Sequence, residues 1–371
     1  MSKLSACFPM SRFEAGGLER VQMHIAAGLI MAGIQAELVT RRIDVRAHML
    51  LRSDLPVHAL GGGRLRFIYS LFRRFRKAEP DVIVTSANDI GCLVLMLRGL
   101  LWRETRVVWT QHLSISGPLH ASKGVRRLRL WLEIRLMRCL VKRADAVVAV
   151  SRSVADDMKS LIDPDLPVQV IYNPAISKDF EQLSREKIDW PWLDRAIPVV
   201  VFVGRLAQVK RLDLLLQAFA RCVQTMSARL LVVGDGPEIS MAGKLATELR
   251  LGEACKFVGH RNNPLPWIRH ADLLVLCSDF EGFGLVLVEA MACGTQVVAT
   301  NCLDGPAEVL AEGRYGRLVP VGDAEALAAA MRASLRSPFC AEDDLKARAA
   351  EFSVECAVSQ YVEMLNAVVR A

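Results

Sequence analysis

A chain of 371 residues, 52% hydrophobic and 23% charged, is too long for one ordinary core and too apolar to be disordered, so two domains are expected. Residues 1–170 carry 26 Lys+Arg against 15 Asp+Glu and the remainder 21 against 25, which predicts that a basic half faces an anionic surface or substrate. No apolar run reaches the ~20 residues of a membrane-spanning helix, and the amino terminus shows no secretory pattern, so a cytoplasmic location is expected.

In chain order, short apolar runs alternate with amphipathic stretches. Strands are predicted at Leu4–Phe8, Gln35–Thr40, Val57–Leu60, Asp81–Ser86, Arg106–Thr110, Ala146–Ser151 and Val168–Tyr172. The first helix sets Leu18, Val21, Ile25 and Leu29 on one face and ends at Gly33. The alternation pauses where Pro174, Pro191 and Pro198 flank a charged segment without a clean strand. A second series follows: Val199–Val203, a helix from Arg211, Arg229–Val233, a helix from Glu238, Cys255–Val258, Leu273–Cys277, a helix from Leu285, and Thr295–Ala299. The chain closes on a helical pattern with Ser353 as its N-cap.

The expected fold is α/β: two Rossmann-like, doubly wound domains facing across a cleft, with parallel strands and ligands at the strand carboxyl ends. The first domain is placed at 1–173, a linker at 174–197, the second domain at 198–352 and the terminal helix at 353–371. The ten cysteines form no Cys-x-x-Cys pair, which argues against a zinc site; Cys92, Cys139, Cys277 and Cys293 read as small core residues.

Four loops, each following a strand, carry candidate chemistry. In Glu14–Arg20, Gly16 and Gly17 let backbone approach a ligand at a helix amino terminus, although any tight strand-to-helix turn can require glycine. In Gly204–Asp213, Arg205 and Lys210 place two cations at a strand end, which suits a diphosphate leaving group; solvated surface charge is the plainer alternative. In Cys277–Gly294, Glu281 lies in a glycine-rich loop and Glu289 is predicted about two turns into the next helix, inside the apolar run LVLVEAMA. Gly282 and Gly284 expose N–H groups there, and two carboxylates could accept from sugar and ribose hydroxyls. His112, in the fourth loop, follows the strand Arg106–Thr110 and opens a long loop; its position permits a substrate contact, with a structural role as the plainer alternative.

Taken together, GGLER, GRLxxxKRxDLLLxAF, GDGPE (Gly234–Glu238) and EGFGLVLVEAMACG are similar to glycosyltransferase family 4, the retaining GT-B enzymes. The resemblance covers most of the chain. It implies that Arg205 and Lys210 bind the diphosphate of a UDP- or GDP-sugar, assisted by the N–H groups of Gly284 and Leu285. It further implies that Glu281 holds the transferred sugar, Glu289 the ribose, that His112 sits beside the sugar, and that Gly16 and Gly17 approach the phosphates. No metal or other cofactor is implied, and the terminal helix is expected to brace the first domain. Cys277 and Gln296 stand where proline is common in relatives. Asp163-Pro-Asp165 spells the metal-binding Asp-x-Asp of another transferase fold but reads as a solvated turn.

Residues 64–77 place Ile68, Leu71, Phe72 and Phe75 at helical spacing among Arg64, Arg66, Arg73, Arg74, Arg76 and Lys77, and residues 123–143 add further basic charge. A basic helix with an apolar face suits an anionic membrane, so a peripheral position on the inner membrane face and a lipid-linked or lipopolysaccharide-type acceptor are expected. A core-facing stripe with a solvated basic back is the alternative. Nucleic acid is not expected, because no binding module accompanies the charge. Two other functional classes are a GT-B nucleotide-sugar epimerase and a non-catalytic glycan- or membrane-binding protein.

Overall fold

The computed structural model describes residues 4–14, 16–50, 54–101, 104–192 and 196–370. Ala15 of the first glycine turn and residues 193–195 of the proline-flanked segment lie outside the described residues. The chain forms two compact units, Met1–Pro174 with Val354–Ala371, and Ala175–Ser353.

Unit 1 runs β1 (Ser5–Met10), α1 (Gly17–Met31), β2 (Gln35–Thr40), β3 (Val57–Ala59), α2 (Arg64–Ala78), β4 (Val82–Thr85) and α3 (Asn88–Leu101). It continues through β5 (Arg106–Gln111), α4 (Ser116–Ala121), α5 (Gly124–Leu140), β6 (Ala146–Ala149), α6 (Arg152–Leu161) and β7 (Val168–Val170). The seven strands are parallel in the order β3-β2-β1-β4-β5-β6-β7. All four residues of β4 are buried, as a parallel strand covered on both faces requires.

Unit 2 contains α7 (Phe180–Ser184), β8 (Val199–Val203), α8 (Leu212–Val223), β9 (Arg229–Val233), α9 (Ile239–Glu248), β10 (Cys255–Gly259) and α10 (Leu265–Arg269). Then come β11 (Leu273–Leu276), α11 (Leu285–Ala292), β12 (Gln296–Thr300), α12 (Pro306–Val309), β13 (Arg317–Val319), α13 (Ala324–Arg336) and α14 (Glu342–Ala350). Its six parallel strands follow the order β10-β9-β8-β11-β12-β13. The last helix, α15 (Val354–Arg370), belongs to unit 1 and packs on α1, where a Cβ on Gly28 would stand 2.3 Å from Val358 Cγ2.

Several expectations need correction. The contact division falls between Pro174 and Ala175, so the described residues after it, up to Ser353, belong to unit 2, with Phe180 and Ser184 buried and Asn263 Nδ2 donating to Leu183 O at 2.8 Å. Cys139 is exposed on α5 rather than a core residue, whereas Cys92, Cys277 and Cys293 are buried. The stripe of α2 is Phe67, Leu71 and Phe75, all buried, while Ile68 and Phe72 lie at its margin. That helix therefore commits Phe67, Leu71 and Phe75 to its own core while Leu65 and Tyr69 stay exposed, and Arg74 Nε donates to Glu37 Oε1 at 3.2 Å.

Candidate active site

In unit 2 the strand order changes direction between β8 and β11, and the crevice at such a switch point is where open parallel sheets bind ligands. Arg205 and Lys210 lie on the loop after β8; Glu281 lies on the loop after β11, which Gly284 (φ 82°) turns into α11. The two loops are tied together along their length. Asp279 N donates to Val209 O at 2.9 Å, and Cys277 Sγ donates to Lys210 O at 3.1 Å. Arg211 spans both, donating to Asp279 Oδ1 at 2.9 Å and to both oxygens of Asp213, whose hydrogen bonds raise its pKa further.

At the centre of this frame, Lys210 Nζ donates to Glu281 Oε1, and Ser278 Oγ donates to the same oxygen at 2.6 Å. Ser278 is fully buried, and its carbonyl accepts from Thr300 Oγ1 at 2.7 Å, so the serine is a fixed donor. Arg205 is exposed and makes no ion pair among the described residues. Glu289, 4% exposed, is the fifth residue of α11; the helix starts at Leu285, so this carboxylate sits little more than one turn in, not the two expected. Leu285, half-buried, is the first helical residue and Gly284 the N-cap, so both N–H groups belong to the unsatisfied first turn.

Glycines make this compact. A Cβ on Gly236 would stand 2.3 Å from Leu206 O, because the GDGPE turn lies directly on the Arg205 loop; Leu206 N donates to Asp235 O and Glu238 N to Leu206 O. On the other side, Gly305 (φ 99°) lets the turn after β12 lie on the EGFG loop, where a Cβ would stand 2.5 Å from Phe283 O. Gln296 Oε1 accepts from the N–H groups of Phe339 and Cys340, and its Nε2 donates to Cys340 O.

In unit 1 the direction changes between β1 and β4. Gly16 is the N-cap of α1 and Gly17 its first residue. The Glu19 carboxyl folds back over this end, 2.5 Å from where a Gly16 Cβ would stand, and burial raises its pKa. His112 follows β5 and is half-buried, with Nε2 3.1 Å from Gln22 Nε2 of α1. Burial lowers its pKa to about 4 against an opposing hydrogen bond from Asn173, so the imidazole is neutral at pH 7. Gln22 is fully buried, and as an amide N–H donor it makes His112 Nε2 the acceptor and leaves the ring proton on Nδ1. Sequence reasoning missed Gln22 and Ser278: both look like ordinary helix and strand-end residues, and only their hydrogen bonds, to His112 ninety positions on and to Glu281 three positions on, set them apart.

Asp163 is paired with Lys142 Nζ at 2.5 Å, which lowers its pKa, and its Oδ1 accepts from Asp165 N; the Asp-Pro-Asp run is a surface turn. No helix among the described residues is long and apolar enough to cross a membrane.

Comparison with known proteins places this geometry. Residues 15–175 match the model of Glycosyltransferase Family 4, and residues 185–352 match Glycosyl transferases group 1. The lipopolysaccharide core biosynthesis glycosyltransferase LpsE of Rhizobium meliloti is 25% identical over 351 residues, 93% of this chain and 92% of that protein. The N-acetyl-alpha-D-glucosaminyl L-malate synthase of Bacillus anthracis is 33% identical over 198 residues, 52% of this chain and only 51% of that one. Among solved structures, HepE of Anabaena in complex with UDP-glucose superposes with a TM-score of 0.79 at 22% identity, covering 98% of this chain and 100% of that one. The chain belongs to the GT-B glycosyltransferases, with a family 4 amino-terminal unit and a group 1 carboxy-terminal unit.

Proposed function

We propose that the protein is a retaining, metal-independent glycosyltransferase that moves a sugar from a UDP- or GDP-sugar to a lipid-linked or lipopolysaccharide-type glycan at the cytoplasmic face of an anionic membrane. The observation that carries the reading is the Lys210–Glu281–Ser278 cluster at the β8/β11 switch point, with the exposed Arg205 on the adjoining loop. Arg205, Lys210 and the N–H groups of Gly284 and Leu285 are assigned to the diphosphate, whose charge grows as the bond to the sugar breaks. These groups supply the countercharge for which other transferases use a metal ion. Glu281 is assigned to hydroxyls of the sugar and Glu289 to those of the ribose. In unit 1, Gly16 and Gly17 are assigned to the donor phosphates, and the neutral His112 to the sugar.

In the reading, the bond from the anomeric carbon to the phosphate oxygen breaks, the acceptor oxygen forms the new bond on the same face, and the acceptor's proton passes to the departing phosphate. The complex of HepE with UDP-glucose supports a nucleotide-sugar donor, and the match to LpsE supports a lipopolysaccharide-type acceptor. Incubation of the protein with a panel of nucleotide sugars, in chelator and with lipid-linked acceptors, tests this by NMR of the product's anomeric configuration. A retained configuration and an acceptor-dependent release of nucleoside diphosphate are expected. Conversion of the donor without any acceptor overturns the reading in favour of an epimerase, and no turnover with any donor favours a binding protein.

A further inference from the structure

Helix α5 has an unusual division of its side chains. Only Ile134, Met137 and Leu140 are buried. Val125, Leu128, Trp131, Leu132 and Leu136 are all exposed, by 85%, 57%, 43%, 54% and 39%. At 3.6 residues per turn, Val125, Leu128, Leu132 and Leu136 fall within an arc of about 80°, on the side of the helix away from the buried triplet. The helix therefore carries two apolar stripes: one closes the core and the other is left open. Such a second stripe is not the scatter of single exposed apolar residues that any surface shows.

Two arginines flank the open stripe: Arg129 and Arg135 lie within about 20° of its two edges. Arg126, Arg127 and Arg138 are exposed elsewhere on the same helix, which carries a single acid, Glu133. The Arg135 guanidinium lies 4.3 Å from the Trp131 ring centroid, so an amphipathic ring and a cation share the edge of the stripe. Leu119, Arg127, Leu128 and Trp131 line an open depression of about 330 Å³ beside it. A second copy of the chain would set these arginines against their equals, whereas an anionic surface complements them. The combination fits the boundary of a bilayer: leucines entering the acyl region, the indole at the headgroup level and arginines on lipid phosphates.

We propose that the exposed stripe of α5 is the surface by which this protein docks on anionic phospholipid. The inference rests on the membrane-facing part of the proposed function and names its surface as α5, which exposes five large apolar side chains where α2 buries Phe67, Leu71 and Phe75 and exposes Leu65 and Tyr69. The test uses the full chain and phosphatidylcholine vesicles with and without phosphatidylglycerol. It compares wild type with Leu128→Ser/Leu132→Ser in α5 and Arg73→Gln/Arg76→Gln in α2, all at exposed positions, with folding checked by thermal melting and by nucleotide binding. Wild type should float with the phosphatidylglycerol vesicles only, and brominated acyl chains should quench its tryptophan emission. The α5 variant should lose roughly tenfold or more in partitioning, since two leucines leave the lipid, while the α2 variant changes little. Flotation of the α5 variant like wild type overturns the inference while the membrane-facing reading stands. Failure of wild type to float overturns both. A dimer by light scattering that the α5 variant abolishes, without vesicle binding, reassigns the stripe to a second copy and also overturns it.

Discussion

Replacing Lys210 by Met keeps the stem of the side chain and removes its charge, leaving the Glu281 carboxylate with Ser278 as its remaining donor in the cluster. The side chains of the pair are 24% and 10% exposed, between a surface pair worth at most about 1 kcal/mol and a buried one whose disruption costs about 3–5 kcal/mol. The substitution should therefore destabilise unit 2 by about 1–3 kcal/mol. Much of that cost is the unpaired carboxylate, so Lys210→Met/Glu281→Gln should recover about 1–2 kcal/mol of it. Turnover behaves differently: losing one preorganised donor to the leaving group should cost about 10²–10³ in kcat, and the double variant should not recover it. Urea unfolding gives the first pair of numbers and donor-saturated turnover the second. Strictly additive stability losses, or a double variant that regains activity, would refute the argument that one lysine both neutralises Glu281 and serves the donor.

Other perturbations follow from the same geometry. His112 has its pKa lowered to about 4, below the unfolded value near 6.5, so between those values the unfolded chain binds more protons. Its contribution is fully present above pH 6.5 and is lost as pH falls toward 4, by at most about 3 kcal/mol; His112→Phe should remove that slope in thermal melts. Gln22→Glu should stabilise the imidazolium, raise the pKa of His112 and reverse the preferred tautomer, read by ¹⁵N NMR of the ring. Gly305→Ala should cost about 2–3 kcal/mol and lower kcat, because the Cβ strikes the Phe283 carbonyl at a positive φ. Gly28→Ala should lower the melting temperature despite its better helix propensity, and Val358→Ala should restore it, since the two side chains compete for one space between α1 and α15.

The strands were the most legible feature. Val199–Val203 and Arg229–Val233 coincide with the predicted runs, because a strand covered on both faces must be nearly continuously apolar; Gln35–Thr40 coincides too, although Gln35 and Glu37 interrupt its apolar run. Arg317–Val319 escaped notice: three residues at a sheet edge are too few to show a period. The glutamates and cations of unit 2 stood out because charge at strand ends, next to glycine, is expensive without a purpose. Ser278, Gln22 and Gly305 did not, since their roles come from residues 3, 90 and 22 positions away in contacts with Glu281, His112 and Phe283. Helices α2 and α5 show the limit of periodicity. Both read as basic with apolar spacing, but only the packed structure tells that α2 buries Phe67, Leu71 and Phe75 and exposes Leu65 and Tyr69, while α5 leaves five large apolar side chains open.

The central claim is that unit 2 holds a nucleoside diphosphate with Arg205 and Lys210 and without a metal ion. Isothermal titration of UDP and GDP in chelator, on wild type and on Arg205→Ala/Lys210→Ala, addresses it directly. The account predicts saturable binding of one of the two nucleotides by wild type and a loss of roughly two orders of magnitude or more in the variant, as removal of two charge-assisted contacts requires. Equal affinity in the two proteins would contradict it.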